Sequence, residues 1–372
     1  MDVSELKSAL VHHWFVVPSG GEQVCESLCD VLDRPDFFTL VCDPDQLTPR
    51  LCQCRQMTSF LQKLPNARRW YRYYALLFPL AVEQFDLNPY DLVVSSDSSV
   101  VKGVITRPET CHVCYCHTPI RWAWNMYQDY RGTGLYRRVF ALGMHYLRMY
   151  DLAASRRVDY FAANSHNVKK RIWKYYRRSA TVIHPPVDVE RFSISSTPDD
   201  YYLFAGRLVG YKRADLAVAA FTQNGRKLVV AGSGPQEKRL KAMAGKNVEF
   251  VGWQSNDELA KLYARCRALV FPADEDFGIV PVEAQASGRP VVALGRGGAL
   301  ETVIPDETGV FFDRPEIDDL NRAIVDLEKR LDRLEPERIR ANAMRFGRER
   351  FVREMRDFLA DCVRDHKELL NR

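Results

Sequence analysis

Short apolar runs alternate with helix-like segments along the whole chain, and this pattern predicts an α/β fold. The first half opens with a β-prone run from Leu10 to Val17, a tight loop at Gly20-Gly21 and a helix from Gln23 to Leu32. In the second half, strand–loop–helix units are predicted to begin at Tyr202, Leu228, Val248, Ala268, Val291 and Val310. Strands that alternate with helices are typical of an open sheet, in which ligands bind outside the carboxyl ends of the strands.

The length of 372 residues exceeds the size at which a single core usually keeps growing, so two domains are expected. We predict a first domain over 1–183, a linker over 184–200 that Pro185-Pro186 stiffens, and a second domain over 201–345. Residues 346–372 are predicted to form a charged helical tail, with apolar positions at Phe346, Phe351, Met355, Phe358 and Leu359.

Two glutamates flank a predicted strand-to-helix turn in the second domain. Glu275 lies in the loop after the apolar run 268–272, and Glu283 lies in the first turn of a short helix that Pro281 opens and Gly288 closes. A helix N-terminus at such an edge favours anionic groups such as phosphate. Two carboxylates beside a phosphate site suit a ligand rich in hydroxyls, such as a nucleotide sugar. In isolation, such a pair would more often be two solvated surface acids.

A basic, glycine-containing loop supports the phosphate interpretation. Gly206 and Arg207 follow the apolar run 201–205, and Lys212 precedes a helical segment. Arginine presents a fork of donors that matches phosphate oxygens, and lysine is a mobile point charge, so the two could hold one diphosphate between them. Another apolar run ends at Gly232. The third glycine of a dinucleotide fingerprint is missing there, which favours one more βα turn over a Rossmann cofactor site.

These motifs together resemble retaining, nucleotide-sugar-dependent glycosyltransferases of family four. Further parts of the resemblance are Gly297-Gly298 with Glu301 in the second half and the loops Gly20-Gly21-Glu22 and Cys116-His117-Thr-Pro-Ile-Arg121 in the first. The His-Thr-Pro loop and the stretch Phe85-Asp-Leu are similar to the mannosyltransferase-like branch that builds bacterial surface polysaccharides, including lipopolysaccharide.

The resemblance implies the GT-B fold, in which two Rossmann-like domains face each other and a C-terminal helix crosses back to the first domain. The first domain would serve the acceptor and the second the nucleotide-sugar donor. The expected donor-binding residues are Gly20, Gly21, Gly206, Arg207, Lys212, Gly232, Phe277, Gly278, Ile279 and Glu283.

The expected chemistry depends on the leaving group, because a nucleotide sugar already carries an activated anomeric carbon. The barrier falls where fixed positive charge meets the charge that grows on the departing diphosphate. We assign that role to Arg207 and Lys212, assisted by the peptide N–H groups of residues 277–279 and by the Gly20-Gly21 loop.

Three further side chains receive roles at the reacting sugar and the nucleotide. Glu275 would orient the sugar through its hydroxyls, and Glu283 would hold the ribose. By resemblance, His117 should contact the sugar near the reacting centre. A double displacement would need a carboxylate nucleophile facing the sugar, and the motifs of the first half contain no obvious one. We therefore expect retention by a front-face route.

The resemblance to the mannosyltransferase-like branch suggests GDP-mannose as the donor and a saccharide, expected to be lipid-linked, as the acceptor. Other GDP- or UDP-sugars are the alternative donors. A nucleotide-sugar epimerase of the non-hydrolysing type and a catalytically silent nucleotide-sugar binder are the alternative functions.

The distribution of charged and aromatic residues raises the question of a contact between the protein and a membrane. Lys and Arg number 53 against 48 Asp and Glu, a mild excess of +5 that does not imply nucleic acid. The segments 66–78 and 136–150 mix arginines with aromatics, which suits either an anionic membrane surface or core helices with basic polar faces. No stretch is apolar enough to span a bilayer and the start lacks a secretory layout, so we expect a cytoplasmic protein that contacts the inner face of the membrane.

Ten cysteines raise the question of a metal or of disulfides, and the tightest group lies in the run 111–117. Disulfides are not expected in the cytoplasm, and zinc would need a second pair of ligands elsewhere. We therefore interpret the cysteines as small core residues. No Asp-x-Asp cluster suited to a metal-bound diphosphate stands out, so neither a metal nor another cofactor is expected.

Overall fold

The computed structural model describes residues 3–16 and 20–371. The chain divides into two compact units. Unit 1 comprises Met1–Pro186 together with Phe351–Arg372, and unit 2 comprises Val187–Arg350.

Unit 1 is built on a parallel sheet with the strand order β3-β2-β1-β4-β5-β6-β7. The strands at the centre of the sheet are buried on both faces, as expected when helices cover a parallel sheet. The strands of the sheet are β1 (Ser8–Phe15), β2 (Asp36–Cys42), β3 (Gln56–Thr58), β4 (Leu92–Asp97), β5 (Cys111–Cys116), β6 (Tyr160–Ala163) and β7 (Thr181–Val182).

The helices of unit 1 lie in the connections between these strands. They are α1 (Gly20–Leu32), α2 (Pro49–Cys52), α3 (Ala67–Trp70), α4 (Phe78–Glu83), α5 (Tyr127–Tyr130), α6 (Gly134–Ala154) and α7 (His166–Tyr176). A 3-10 helix, Tyr71–Leu77, joins α3 to α4. Ser165 caps α7, since its hydroxyl accepts a hydrogen bond of 3.1 Å from the Val168 N–H.

Unit 2 contains a parallel sheet with the order β10-β9-β8-β11-β12-β13. All six strands begin at or within one residue of the predicted positions. They are β8 (Tyr202–Ala205), β9 (Leu228–Ala231), β10 (Val248–Gly252), β11 (Ala268–Phe271), β12 (Val291–Leu294) and β13 (Gly309–Phe312). The helices are α8 (Ala214–Asn224), α9 (Glu237–Met243), α10 (Asn256–Arg265), α11 (Ile279–Ala286), α12 (Ala299–Thr302), α13 (Ile317–Glu328) and α14 (Pro336–Met344).

The C-terminal helix α15 (Arg348–Leu370) returns to unit 1. Its buried residues recur at steps of three and four, which places them on one helix face. They pack into the core beneath the first sheet and are Phe351, Met355, Leu359, Cys362 and Val363. The Phe351 ring meets Tyr115 of β5 edge to face at 5.6 Å. The expected return of the tail to the first domain is therefore confirmed.

Several residues near the domain junctions belong to the core of unit 2. Phe346 packs against Phe277 with ring centroids 5.4 Å apart. Within 184–200, where we expected a linker, Val187, Val189 and Phe192 are buried in that same core.

The cysteines lack disulfides, and all but Cys52 are buried. Along β5, Val113 and Tyr115 face one core cluster while Cys114 and Cys116 face another, as strand alternation predicts. In the part of the chain that the structure describes, no helix has both the length and the apolar character needed to cross a bilayer.

Candidate functional site

The strand order of unit 2 creates a crevice at the carboxyl edge of its sheet. From β8 the chain proceeds outward to β9 and β10, and it then returns to β11 on the other side of β8. The loops after β8 and β11 therefore leave the sheet in opposite directions, which is where ligands bind in open α/β sheets. The first loop carries Arg207 and Lys212, and the second carries Glu275.

An ion pair joins these two loops. The Lys212 Nζ contacts Glu275 Oε1, and the two side chains expose only 16% and 15% of their surface. Lys212 ends a 3-10 turn (Gly210–Lys212), whereas Arg207 is exposed. The structure thus brings a predicted diphosphate cation together with the carboxylate predicted to orient the sugar.

Glu283 is buried one step deeper, on α11. Its Oε2 accepts a hydrogen bond of 2.9 Å from the Tyr263 hydroxyl, and its Oε1 lies 3.6 Å from Nη2 of Arg191. Burial raises the pKa of Glu283, while Tyr263 and Arg191 oppose that rise. Arg191 was not predicted as a site residue, because a single arginine after a proline-rich stretch forms no recognisable motif.

The helix that carries Glu283 begins earlier than predicted. We expected Pro281 to open α11 and Glu283 to lie in its first turn, but the helix starts at Ile279. Gly278, with a φ of +88°, ends the loop in a conformation that favours glycine, and Pro281 occupies the third helical position. Glu283 consequently lies in the second turn.

Two glycines allow the loop after β9 to touch the loop after β8. Gly232 has a φ of +136°, and a Cβ there would overlap the carbonyl oxygen of Gly206. The Gly206 N–H donates to Ala231 O at 3.0 Å, and the Leu208 N–H donates to Ser233 O at 2.9 Å. The role of Gly232 is therefore to permit close backbone packing behind Arg207.

A second glycine pair holds the loop after β11. The Gly298 N–H donates to Glu275 O at 2.8 Å, and a Cβ on Gly298 would overlap the Phe277 backbone. Gly297, with a φ of +60°, approaches the Glu275 carbonyl in the same way. The backbone of residues 275–277 is therefore fixed by the Gly297-Gly298 turn after β12.

In unit 1, the predicted residues also lie at the carboxyl edge of the sheet. His117 follows β5, and its N–H donates to Asp97 O at 2.8 Å. An ideal Cβ on Gly21, in the first turn of α1, would lie 3.3 Å from His12 Cε1 and 3.9 Å from His117 Nε2. Gly21 therefore leaves room beside two imidazoles. The preceding residues 17–19, which belong to the predicted loop, are outside the described residues.

Beneath this edge, a buried ammonium joins three segments of unit 1. The Lys102 Nζ donates to Asp97 at 2.8 Å and also contacts Asp151, and all three side chains are fully buried. Asp151 accepts hydrogen bonds from Tyr176 at 2.8 Å and from Trp124 at 2.7 Å. Burial alone would raise the pKa of Asp97, but the Lys102 charge more than offsets this and the pKa is lowered. The network fixes the end of β4.

Among the described residues, one group could place three metal-ligand atoms together: Cys111, Asp159 and His366, whose atoms lie within 4.8 Å of one another. Cys111 is at the start of β5, the end opposite His117. Asp159 already accepts the His112 N–H at 2.8 Å.

Solved structures with the same architecture align with almost the whole chain. A protein from Anabaena, HepE, in complex with UDP and glucose, superposes with a TM-score of 0.68 at 18% identity, over 96% of this chain and 100% of that one. The chain has the GT-B glycosyltransferase fold. The two parallel-sheet, Rossmann-like domains that the sequence predicted are thereby confirmed.

Family models match the two halves of this GT-B chain separately. Residues 18–191 match Glycosyltransferase Family 4, and residues 187–346 match Glycosyl transferases group 1. An uncharacterized glycosyltransferase of Methanocaldococcus jannaschii is 30% identical over 47% of this chain and 51% of its own length. A GDP-mannose-dependent monoacylated alpha-(1-6)-phosphatidylinositol monomannoside mannosyltransferase of Corynebacterium glutamicum is 30% identical over 46% and 53%. The chain thus spans about half the length of these two relatives.

The buried histidines of unit 1 predict that the free energy of unfolding decreases in mild acid. Burial lowers the pKa of both His13 and His112 from 6.5 to about 4 and that of His12 well below 6.5. Between those values the unfolded chain binds more protons than the folded one, so the free energy of unfolding decreases as the pH falls from 6.5 towards 4. Each of these histidines contributes about 1.4 kcal/mol per pH unit at most.

Urea unfolding at a series of pH values measures this slope. Replacement of the exposed His145 by glutamine serves as the control and should leave the slope unchanged. A free energy of unfolding that stays constant from pH 7 to pH 5 would contradict the prediction.

Proposed function

We propose that the protein is a retaining glycosyltransferase that transfers mannose from GDP-mannose to a saccharide acceptor without a metal ion. The observation that carries the proposal is the Lys212–Glu275 ion pair at the crevice of a GT-B donor domain, with Glu283 behind it. In the proposal the cation meets the diphosphate, Glu275 accepts from the sugar hydroxyls and Glu283 accepts from the ribose.

In the proposed reaction, the bond between the anomeric carbon and the diphosphate oxygen breaks while the acceptor oxygen bonds to the same face of the sugar. The proton of the acceptor hydroxyl passes to the departing phosphate oxygen. Lys212 and the exposed Arg207 stabilise the negative charge of the diphosphate. The N–H groups of residues 277–279 add to this, because they lie at the N-terminus of α11, where the helix dipole favours anions.

The lysine needs only to exchange one anionic partner for another when the donor binds. In this structure it faces Glu275, and in the complex it would face the diphosphate while Glu275 accepts from the sugar hydroxyls. Glu283 is held in place by Tyr263 and Arg191, so the carboxylate proposed to accept from the ribose is already fixed before the donor binds.

The choice of GDP-mannose rests on the sequence resemblance and on the mannosyltransferase of C. glutamicum, whose name includes this donor. The Anabaena structure contains UDP, which keeps UDP-sugars as the alternative. A ligand that binds only the folded state raises stability by about 2.7 kcal/mol at a concentration of 100 times its Kd. We therefore expect GDP-mannose to raise Tm more than other nucleotide sugars.

Thermal-shift measurements with GDP-mannose, GDP-glucose, UDP-glucose and free mannose test the donor. The variant Glu283→Ala is the matched control, because it should lose the shift if the ligand occupies this crevice. Stabilisation by a UDP-sugar but not by GDP-mannose would show that the proposed donor is wrong.

Kinetics separate the proposed roles of the charged groups. Lys212→Ala and Arg207→Ala should each lower kcat at least about 100-fold, because they remove charge that stabilises the transition state. Glu283→Ala should mainly raise KM for the donor. Lys227→Ala, which breaks an exposed pair with Glu249 at 3.6 Å in the same unit, is the control and should change neither constant. Small and equal losses in all three site variants would mean that the site lies elsewhere.

We further propose that the acceptor is lipid-linked and that unit 1 contacts an anionic membrane. One row of exposed apolar side chains follows α6 at helical steps of four and three: Leu135, Val139, Leu142, Tyr146 and Met149. A second set lies on the segment 70–80, namely Trp70, Tyr73, Leu76, Leu77 and Leu80. The two sets adjoin, since an ideal Cβ on Gly143 would lie 3.3 Å from Leu76 Cδ2. We call this surface the basic apolar face.

Charge favours a lipid surface as the occupant of the basic apolar face. The segments 63–82 and 130–150 contain no acidic residue, and their exposed arginines include Arg69, Arg72, Arg137 and Arg138. In a symmetric dimer the same patches would meet and the arginines would repel one another. An anionic bilayer accepts both the arginines, at its phosphates, and the apolar row, at the acyl boundary.

Sedimentation with anionic vesicles tests the membrane contact. Each basic residue contributes on the order of 1 kcal/mol at low salt, so serine at Arg68, Arg69, Arg72, Arg137 and Arg138 should abolish low-salt binding. Arg68 should matter least, because it pairs with Asp43 at 3.1 Å. Binding that remains at high salt should be lost when Leu135, Val139 and Leu142 become serine.

Leu300→Ser is the control for the apolar variant, since Leu300 is also exposed, at 58%, but lies in unit 2. Equal failure of wild type and variants to sediment in every condition would remove the membrane contact and leave an enzyme with a soluble acceptor.

A further inference from the structure

A chain of hydrogen bonds runs through Ser96 between two histidines of unit 1. Ser96 is fully buried near the end of β4. His12 Nδ1 lies 3.0 Å from the Ser96 carbonyl oxygen and 3.1 Å from its hydroxyl oxygen. His117 Nε2 lies 2.8 Å from the same hydroxyl, and the Cys25 Sγ lies 3.4 Å from it.

The carbonyl determines how the protons are placed. A carbonyl oxygen can only accept, so His12 Nδ1 must carry a proton, which it shares between the carbonyl and the hydroxyl oxygen of Ser96. Burial raises the pKa of the Cys25 thiol, so this group stays protonated and donates to the same hydroxyl oxygen. Both acceptor positions of the Ser96 hydroxyl are then occupied.

The remaining proton of the network is that of the Ser96 hydroxyl itself. With its oxygen already accepting twice, the hydroxyl donates to its remaining neighbour, His117 Nε2. Burial lowers the pKa of His117 to about 3, so its ring is neutral at neutral pH. A neutral imidazole that accepts at Nε2 carries its proton on Nδ1.

We infer that Ser96 and His12 are positioning residues that hold His117 as its Nδ1–H tautomer, so that His117 donates a hydrogen bond to an oxygen of the bound sugar nucleotide. The inference rests on the proposed function for its ligand, although the tautomer itself does not. It assigns His117 a binding role as a donor, because the lone pair that a general base would need is occupied by Ser96. The partner oxygen belongs to a sugar hydroxyl or to the diphosphate.

The tautomer can be measured directly in the wild-type protein. Long-range ¹H–¹⁵N NMR of protein labelled with ¹⁵N-histidine distinguishes the protonated ring nitrogen, and the His117 signal is assigned by its loss in His117→Asn. We expect a protonated Nδ1 and a bare Nε2 at pH 7. A proton on Nε2 of His117 would overturn the inference, whatever the activity.

Variants of Ser96 test the origin of the tautomer. Ser96→Ala should release His117 into a mixture of tautomers and lower kcat/KM by about three- to tenfold, the effect of one neutral hydrogen bond. Ser96→Thr keeps the hydroxyl and should restore both the tautomer and the turnover. An unchanged His117 spectrum in a folded Ser96→Ala protein would refute the role of Ser96.

The neighbouring residue offers a matched control. Ser95 is equally buried, and its hydroxyl makes the same kind of bond, 2.9 Å to Nε2 of His112, on the opposite face of β4. Ser95→Ala should therefore leave the His117 signals and turnover unchanged. Loss of the His117 tautomer in both serine variants would show a general packing effect instead.

Substitutions of His117 separate this inference from the proposed function. Asparagine places an N–H close to the position of Nδ1, whereas glutamine reaches that of Nε2. His117→Asn should therefore retain several-fold more activity than His117→Gln, and the reverse order would overturn the donor role. If the Nδ1–H tautomer is found but no nucleotide sugar is turned over, the proposed function fails and the tautomer assignment stands.

Discussion

Backbone contact between neighbouring loops is the constraint on which the candidate donor site depends. Gly232 lies against the Gly206 carbonyl, and Gly298 lies against the backbone of Phe277. A side chain at either glycine would force the loops apart. Because main chain touches main chain, the loops after β8 and β9 cannot shift independently of each other, and neither can the loops after β11 and β12. The Lys212–Glu275 ion pair then joins the first pair of loops to the second across the crevice. The sheet and these glycines therefore position the backbone of the site.

Unit 1 reaches the same kind of rigidity by a different route. Lys102 lies beneath the carboxyl edge of its sheet, and the ammonium group contacts both Asp97 and Asp151 in the protein interior. A buried ammonium that lost either partner would be strongly destabilising, so each of the three side chains depends on the other two. Asp97 follows Ser96 directly, and the electrostatic network thereby fixes the serine that contacts His117.

The strands of unit 2 and the first strand of unit 1 could be predicted from sequence because their apolar runs are short, bounded by glycine or proline, and spaced as βα units. Glu275 and Lys212 were identified because each follows a strand, and strand ends in a parallel sheet share one edge. Arg191 and Lys102 could not be found in this way, since each depends on partners distant in sequence. The start of α11 was missed because the proline signal outweighed the left-handed Gly278 in front of it.

The apolar row on α6 also determines how the protein behaves in water. Side chains such as Leu135 and Leu142, about three-quarters exposed, keep a hydration shell that any other apolar surface would release. In concentrated solution, the surfaces that this row can contact are those of other copies of the protein, of vessel walls and of air bubbles. The row on α6 therefore favours self-association and adsorption in water, and a mild detergent should reduce both.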